Sequence, residues 1–316
     1  MLQSGIFLAA ASAFLCGWAD VSASLGARRL GAARTTFLAL AMGTMLLVLF
    51  GLLSFARLGL TAQTLLRSMP LGVGMGALTA SGYALGYRGM SLGPMAIVGP
   101  IVATDGAVAA VLAILLLHEG VDSWQVAILG VIFAGVILCS ASGRELARLL
   151  QPACARKAIS WRGVPWGMLA AASFGLMLFA LGTESQVWGW YLSMLWSRFF
   201  GAAFVLTAIV THRRFRRRAP RGGGSERGKG ERRWLLQKGP LLALVGGLCE
   251  TAGLAMFSLS AQIADSTAIV AVIASAFVLI PLVFGVLYLG ERPAMNQWVG
   301  VALVLLGLAL LGFKPA

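Results

Sequence analysis

Ten apolar runs, each about as long as a helix needs to cross the hydrocarbon of a bilayer, fill most of this chain of 316 residues. They cover roughly residues 4–24, 35–56, 69–88, 94–117, 124–142, 164–182, 189–211, 240–261, 266–290 and 297–313. The runs are too long for barrel strands. Only a helix satisfies its own backbone hydrogen bonds in lipid without a partner strand. The sequence therefore predicts an all-α membrane protein with ten transmembrane helices, called spans 1 to 10 below. Apolar residues make up 59% of the chain and charged residues only 11%, against roughly 25% in soluble domains. A separate soluble domain does not fit between the spans. No Lys or Arg precedes the first run, so it reads as a span and not as a signal peptide.

Basic residues report the expected orientation. Of the 25 Lys and Arg, 21 fall in the loops after spans 1, 3, 5, 7 and 9, three (Arg57, Arg67 and Lys314) fall on the other side, and Arg198 lies within span 7. The positive-inside rule then places the odd-numbered loops in the cytoplasm of a cell (inner) membrane, with both termini outside. Eleven of these charges sit in residues 212–238, around Gly222, Gly223 and Gly224. This segment is expected to be a disordered linker, with 213–238 attracted to anionic lipid headgroups and not to nucleic acid. A second basic connecting loop covers 144–163.

The chain repeats itself. Shifted by 172 positions, spans 3 to 5 fall on spans 8 to 10: Ala96-Ile97-Val98 meets Ala268-Ile269-Val270, Glu119 meets Glu291, Gln125 meets Gln297, and Gly135 meets Gly307. Near the start a shift of 161 places Leu8-Ala9-Ala10-Ala11-Ser12 on Leu169-Ala170-Ala171-Ala172-Ser173. The units are 1–143 and 164–316. Each has five spans, an odd number, so the second must run through the membrane in the opposite sense. Two inverted five-helix repeats are an architecture for alternating access, with the substrate at the repeat interface. One chain holds both halves, so a monomer is sufficient on symmetry grounds and a dimer stays open.

Leu289-Gly290-Glu291-Arg292, followed by Gln297-Trp298-Val299-Gly300 and a terminal Leu/Val/Gly run, resembles the repeat signature of EamA-like members of the drug/metabolite transporter (DMT) superfamily. Leu117-His118-Glu119-Gly120 with Gln125 is a weaker copy, and Arg198-Phe199 resembles an Arg-Phe pair that such proteins often carry in span 7. The resemblance implies a ten-helix secondary transporter, often an exporter of amino acids or related metabolites. Members are usually described with cytoplasmic termini, the reverse of what the charges give here.

Ionisable side chains inside a membrane are costly and mark functional sites. Asp105 in span 4, Arg198 in span 7 and Glu250 in span 8 sit near span centres, and Asp20 lies near the end of span 1. The expected site is Asp105 and Glu250 with Arg198 as ion partner or carboxylate anchor. Trp18, Tyr83 and Tyr87 are candidates for its aromatic lining. Glu119, Gln125, Glu291 and Gln297 are expected to be structural, as helix-start residues. Pro100 and Pro281 remove helix hydrogen bonds in spans 4 and 9. Asp265 and Ser266 read as an N-cap, and Trp188, Trp190 and Tyr191 as an interfacial anchor. Gly72, Gly76, Gly82, Gly86, Gly89 and Gly93 give a small-residue stripe for close packing. The four cysteines have no metal or redox spacing, and the three inside apolar spans read as small hydrophobes.

The function expected is secondary transport and not catalysis: there is no P-loop, no HExxH and no GxSxG, and His118 and His212 stand at span ends. A small-molecule substrate such as an amino acid or amine is expected, driven by a proton gradient, an exchanged solute or downhill flow. No cofactor and no metal is expected. The alternatives are a non-transporting membrane subunit or a lipid-translocating partner, and less readily an intramembrane enzyme.

Overall fold

The computed structural model describes residues 2–54, 61–92, 98, 101–117, 122–140, 161–218, 231–264, 266–289 and 295–312. Its helices are α1 (Leu2–Leu30), α2 (Ala32–Leu53), α3 (Ala62–Leu92), α4 (Asp105–Leu116), α5 (Ser123–Ser140), α6 (Val164–Trp188), α7 (Trp190–Arg218), α8 (Glu231–Ala264), α9 (Thr267–Ala274), α10 (Leu279–Leu289) and α11 (Met295–Gly312). No strand occurs among the described residues. Five helical segments are long and apolar enough to cross a membrane: Gln3–Ala27, Ala32–Leu53, Val164–Trp188, Trp190–Thr211 and Gly239–Ala264. Shorter apolar helices account for Asp105–Leu116, Ser123–Leu138, Thr267–Pro281 and Met295–Gly307.

The packing carries the repeat. α1 lies along α8, and α6 along α3; α7 packs on α3, and α2 on α8. Each of these pairs becomes its companion when the halves are exchanged. α2 with α7, α4 with α9, and α5 with α11 pair across the two halves and map onto themselves. Each half is thus wrapped into the other, and the bundle has no plane along which it could be parted into two independent five-helix units.

Close glycine contacts fix the register residue by residue. Gly135 packs on Val304 while Gly307 packs on Ile132, both 172 positions apart. Gly43 meets Thr251 and Gly201 meets Thr79. Gly17 meets Ile280 and the Phe277 carbonyl, while Gly175 meets Val108 and the Asp105 carbonyl. Spans 3 to 5 therefore keep the 172 shift onto spans 8 to 10, but spans 1 and 2 map onto spans 6 and 7 with a shift of 158. The shift of 161 at the start is corrected by three residues. Alanine-rich helices match themselves in several registers, and only packing selects one.

The α1–α2 and α6–α7 turns use one device twice. Gly31 (φ 84°, ψ 147°) and Gly189 (φ 82°, ψ 153°) occupy a region open essentially to glycine alone. Four residues on, the Thr35 hydroxyl donates to the Gly31 carbonyl at 3.2 Å and the Ser193 hydroxyl to the Gly189 carbonyl at 3.1 Å.

Spans 4 and 9 are both interrupted. Residues 101–102 are helical, Ala103 and Thr104 turn, and α4 restarts at Asp105. Between α9 and α10 the chain tightens into a 3₁₀ turn, Ser275–Val278. The break precedes Pro281, whose missing N–H leaves the Phe277 carbonyl without its helical donor. The two breaks meet where Gly106 passes beneath Ser275 and the Ala271 carbonyl. Ser266 caps α9, accepting from Ile269 N–H at 3.4 Å. Asp265, Pro100, Glu119, Glu291 and Gly93 lie outside the described residues.

Two expectations change. α7 runs on to Arg218 and α8 begins at Glu231, so the flanks of the 212–238 segment are helical. Arg and Lys are good helix formers, and each flank simply continues a span. Residues 219–230 lie outside the described residues. Tyr191 is not an interfacial anchor: it is 5% exposed, and its hydroxyl donates to the Leu47 carbonyl at 3.0 Å, tying α7 to α2. The glycine stripe of α3 does pack closely, Gly72 and Gly76 on Trp196 and Phe200 of α7, and Gly82 on Phe174 of α6.

Candidate functional site

Charge inside the bundle collects where α3, α7 and α8 meet. α8 brings Glu250 there because its small neighbours Gly246 and Gly247 let it lie close to α1 and α2. Glu250 Oε1 is 3.0 Å from Arg198 Nη1, and it accepts a hydrogen bond from the Tyr83 hydroxyl at 2.6 Å. The ion pair comes from the second half and the tyrosine from the first. Arg198 is 2% exposed and Glu250 19%. Both terminal nitrogens of Arg198 are sealed from solvent, the Nη1 contact is not aligned as a hydrogen bond, and Nη2 has no hydrogen-bond partner. The guanidinium therefore stands behind the carboxylate, and Glu250 is the accessible member of the pair.

An aromatic wall continues from it. Tyr83 stacks on Tyr87 with centroids 6.2 Å apart and meets Phe174 edge-on at 5.1 Å. The Tyr87 hydroxyl lies 3.4 Å from Thr36 Oγ1 on α2. Opposite, on α1, Asp20 is exposed, yet it stands within the electrostatic reach of both Glu250 and Asp105.

The other candidates stand apart. Asp105 is half-buried at the start of α4, with Oδ1 accepting from the N–H of Gly106 at 2.7 Å. It makes no ion pair with Arg198. Trp18 packs edge-on against Phe284 of α10 at 6.0 Å. Gln125 accepts from the Asp122 N–H at 3.0 Å, a reciprocal contact typical of a helix start. Gln297 holds the matching position at the start of α11. Among the described residues no group of His, Cys, Asp or Glu is arranged to hold a metal ion.

Thr36 and Phe174 join the site through Tyr87 and Tyr83, and no charge in the sequence singles them out.

The sequence model of the EamA-like transporter family matches residues 3–141 and again 161–313. The chain belongs to the EamA-like transporter family. It is thereby a multi-pass membrane protein of the DMT superfamily, a family of transporters and not of enzymes, and each half of the EamA-like chain is one family repeat. No curated protein matches it in sequence. A solved structure described only as the crystal structure of a protein shares the fold, with a TM-score of 0.66 at 16% identity over 98% of both chains.

Proposed function

We propose that this EamA-like protein is a ten-span secondary transporter, working as an exporter of a small amine or amino acid by alternating access at the repeat interface. The observation that carries this reading is the Glu250–Arg198–Tyr83 cluster, built from both halves in the interior of the bundle. A charge that deep in an apolar bundle is costly unless paired or in contact with water or substrate. The accessible groups are Glu250, Asp20 and the faces of Tyr83 and Tyr87, all suited to an ammonium group. Arg198 is sealed behind them, so its role is to hold Glu250 in place. An amine is favoured over an amino acid for that reason. A carboxylate that binds and releases a proton as the site changes sides would couple flux to a proton gradient.

Flux of a metabolite panel into proteoliposomes holding only this protein tests the reading. Absence of any flux, with correctly folded protein, would favour a non-transporting subunit. At matched expression, Glu250→Gln is expected to abolish flux or its pH dependence; normal transport by this variant across pH sinks the site.

The proposed orientation keeps the odd-numbered loops in the cytoplasm of the inner membrane, with 213–238 against anionic lipid. On intact cells an impermeant thiol reagent should label Gln262→Cys and spare Ser225→Cys. The opposite pattern reverses the topology.

A further inference from the structure

We infer that this transporter is held open at one end, and that the contact of α6 with α8 at Gln186 and Ala261 is the closed gate of the other. The inference rests on membership in a transporter family and not on the identity of the substrate.

The two ends of the bundle are set by the helix directions. At one end the C-terminus of α1 meets the N-terminal part of α8, where Gly239 packs on Arg29 and Leu30. At the other end α6 and α8 finish together beside the start of α1. There Gln186 Nε2 donates to the Ala261 carbonyl at 3.4 Å, and the Ser260 hydroxyl donates to the Gly5 carbonyl at 2.6 Å. Gly182 packs on Thr267 in the same layer.

Exchange of the halves turns α6 and α8 into α1 and α3. If both ends were shut alike, α1 and α3 would touch as α6 and α8 do. Among the described residues they scarcely meet.

Burial repeats the asymmetry independently. Leu178, Leu181 and Ser185 form one face of α6 and are 9%, 0% and 0% exposed. With the 158 shift their mates on α1 are Asp20, Ala23 and Ala27. Asp20 is exposed and the two alanines are half-buried. One face is therefore covered in α6 and uncovered in α1, and the uncovered one leads from the Gly31 turn to Asp20. In the opposite state of the cycle the covering is exchanged: α1 closes on α3 and α6 leaves α8. An inverted repeat makes this second state out of the same two shapes.

Single cysteines at Ala27 and Ser185, in the otherwise native chain, report the state directly. Sonicated membranes give a water-soluble maleimide access to both faces, and peptide mapping locates the modified thiol. Ala27→Cys is expected to react about tenfold faster than Ser185→Cys, a preference of about 1.4 kcal/mol for the state described. Joining Gln186→Cys to Ala261→Cys with a short bifunctional thiol reagent should hold the gate shut, leaving Ala27→Cys at least as reactive as before. Leu181→Cys, on the same face, replaces Ser185→Cys if that variant fails to reach the membrane. Equal or reversed rates at the two faces, or a crosslink that slows labelling at Ala27→Cys, overturns the assignment.

Discussion

The two halves of the molecule share their backbone devices and differ in their chemistry. Gly31 and Gly189 turn the chain alike, Thr35 and Ser193 brace those turns alike, and Gly43–Thr251 answers Gly201–Thr79. The interior charges have no such companions. In the structural register Arg198 corresponds to Leu40, Glu250 to Leu78, Tyr83 to Ala255, Asp105 to Phe277 and Asp20 to Leu178. Leu40 is fully buried, so the first half fills with an apolar side chain the place that the second half gives to a guanidinium. Under the proposed alternating access both halves adopt each other's shape, and geometry is held in common for that reason. Polarity is not, and a single polar cluster suffices for a single substrate.

Copying the first half into the second should break the comparison most severely. Arg198→Leu leaves Glu250 without its partner and should cost about 3–5 kcal/mol, read as a lower melting temperature in detergent. Adding Glu250→Leu reproduces the Leu40–Leu78 pairing and should recover most of that loss while flux stays absent. A double variant no more stable than the single one would show that the pair is not interchangeable with its apolar counterpart.

Tyr83→Phe removes one hydrogen bond to a charged acceptor, worth about 1.5–3 kcal/mol, and should reduce flux while leaving the helix packing unchanged. The informative measurement is flux at matched expression. Gly31→Ala and Gly189→Ala place a side chain in a backbone region that resists it, at about 1–3 kcal/mol each. Their melting shifts should agree; a large disparity would mean that the two turns are not equivalent under load. Smallest is the brace: Thr35→Val or Ser193→Ala should each lose about 0.5–1.5 kcal/mol, again alike.

Much of this was legible in the residues, for physical reasons that also mark the limits. Long apolar runs announce helices because lipid admits little else. The Glu and Gln matches at span junctions revealed the repeat because such residues are rare within membrane segments. Arg198 and Glu250 stood out by cost alone, and they are in contact. The register of spans 1 and 2 was hidden because Ala-rich segments match themselves at several offsets. The interruption of span 9 was marked by Pro281, but the turn at Ala103 and Thr104 in span 4 was hidden because apolar residues on both sides leave the hydropathy of the run unchanged. Asp105 shared the rarity of Glu250 but not its location, since one-dimensional depth in a span says nothing of which face a residue occupies. Tyr191 has the composition of an anchor and the position of a strut.

The crossing of the two interrupted helices has a mechanical meaning. Gly106 lies beneath Ser275 at the point where each helix is already broken, so no intact run of hydrogen bonds must bend there. Under the proposed alternating access such a point serves as a fulcrum: segments that swing about it travel least at the crossing and most at their tips, in opposite directions on the two sides. Lever arms of this kind let a small rotation in the middle of the bundle become opening at one membrane face and closure at the other. A side chain at position 106 would lift the beam off its bearing.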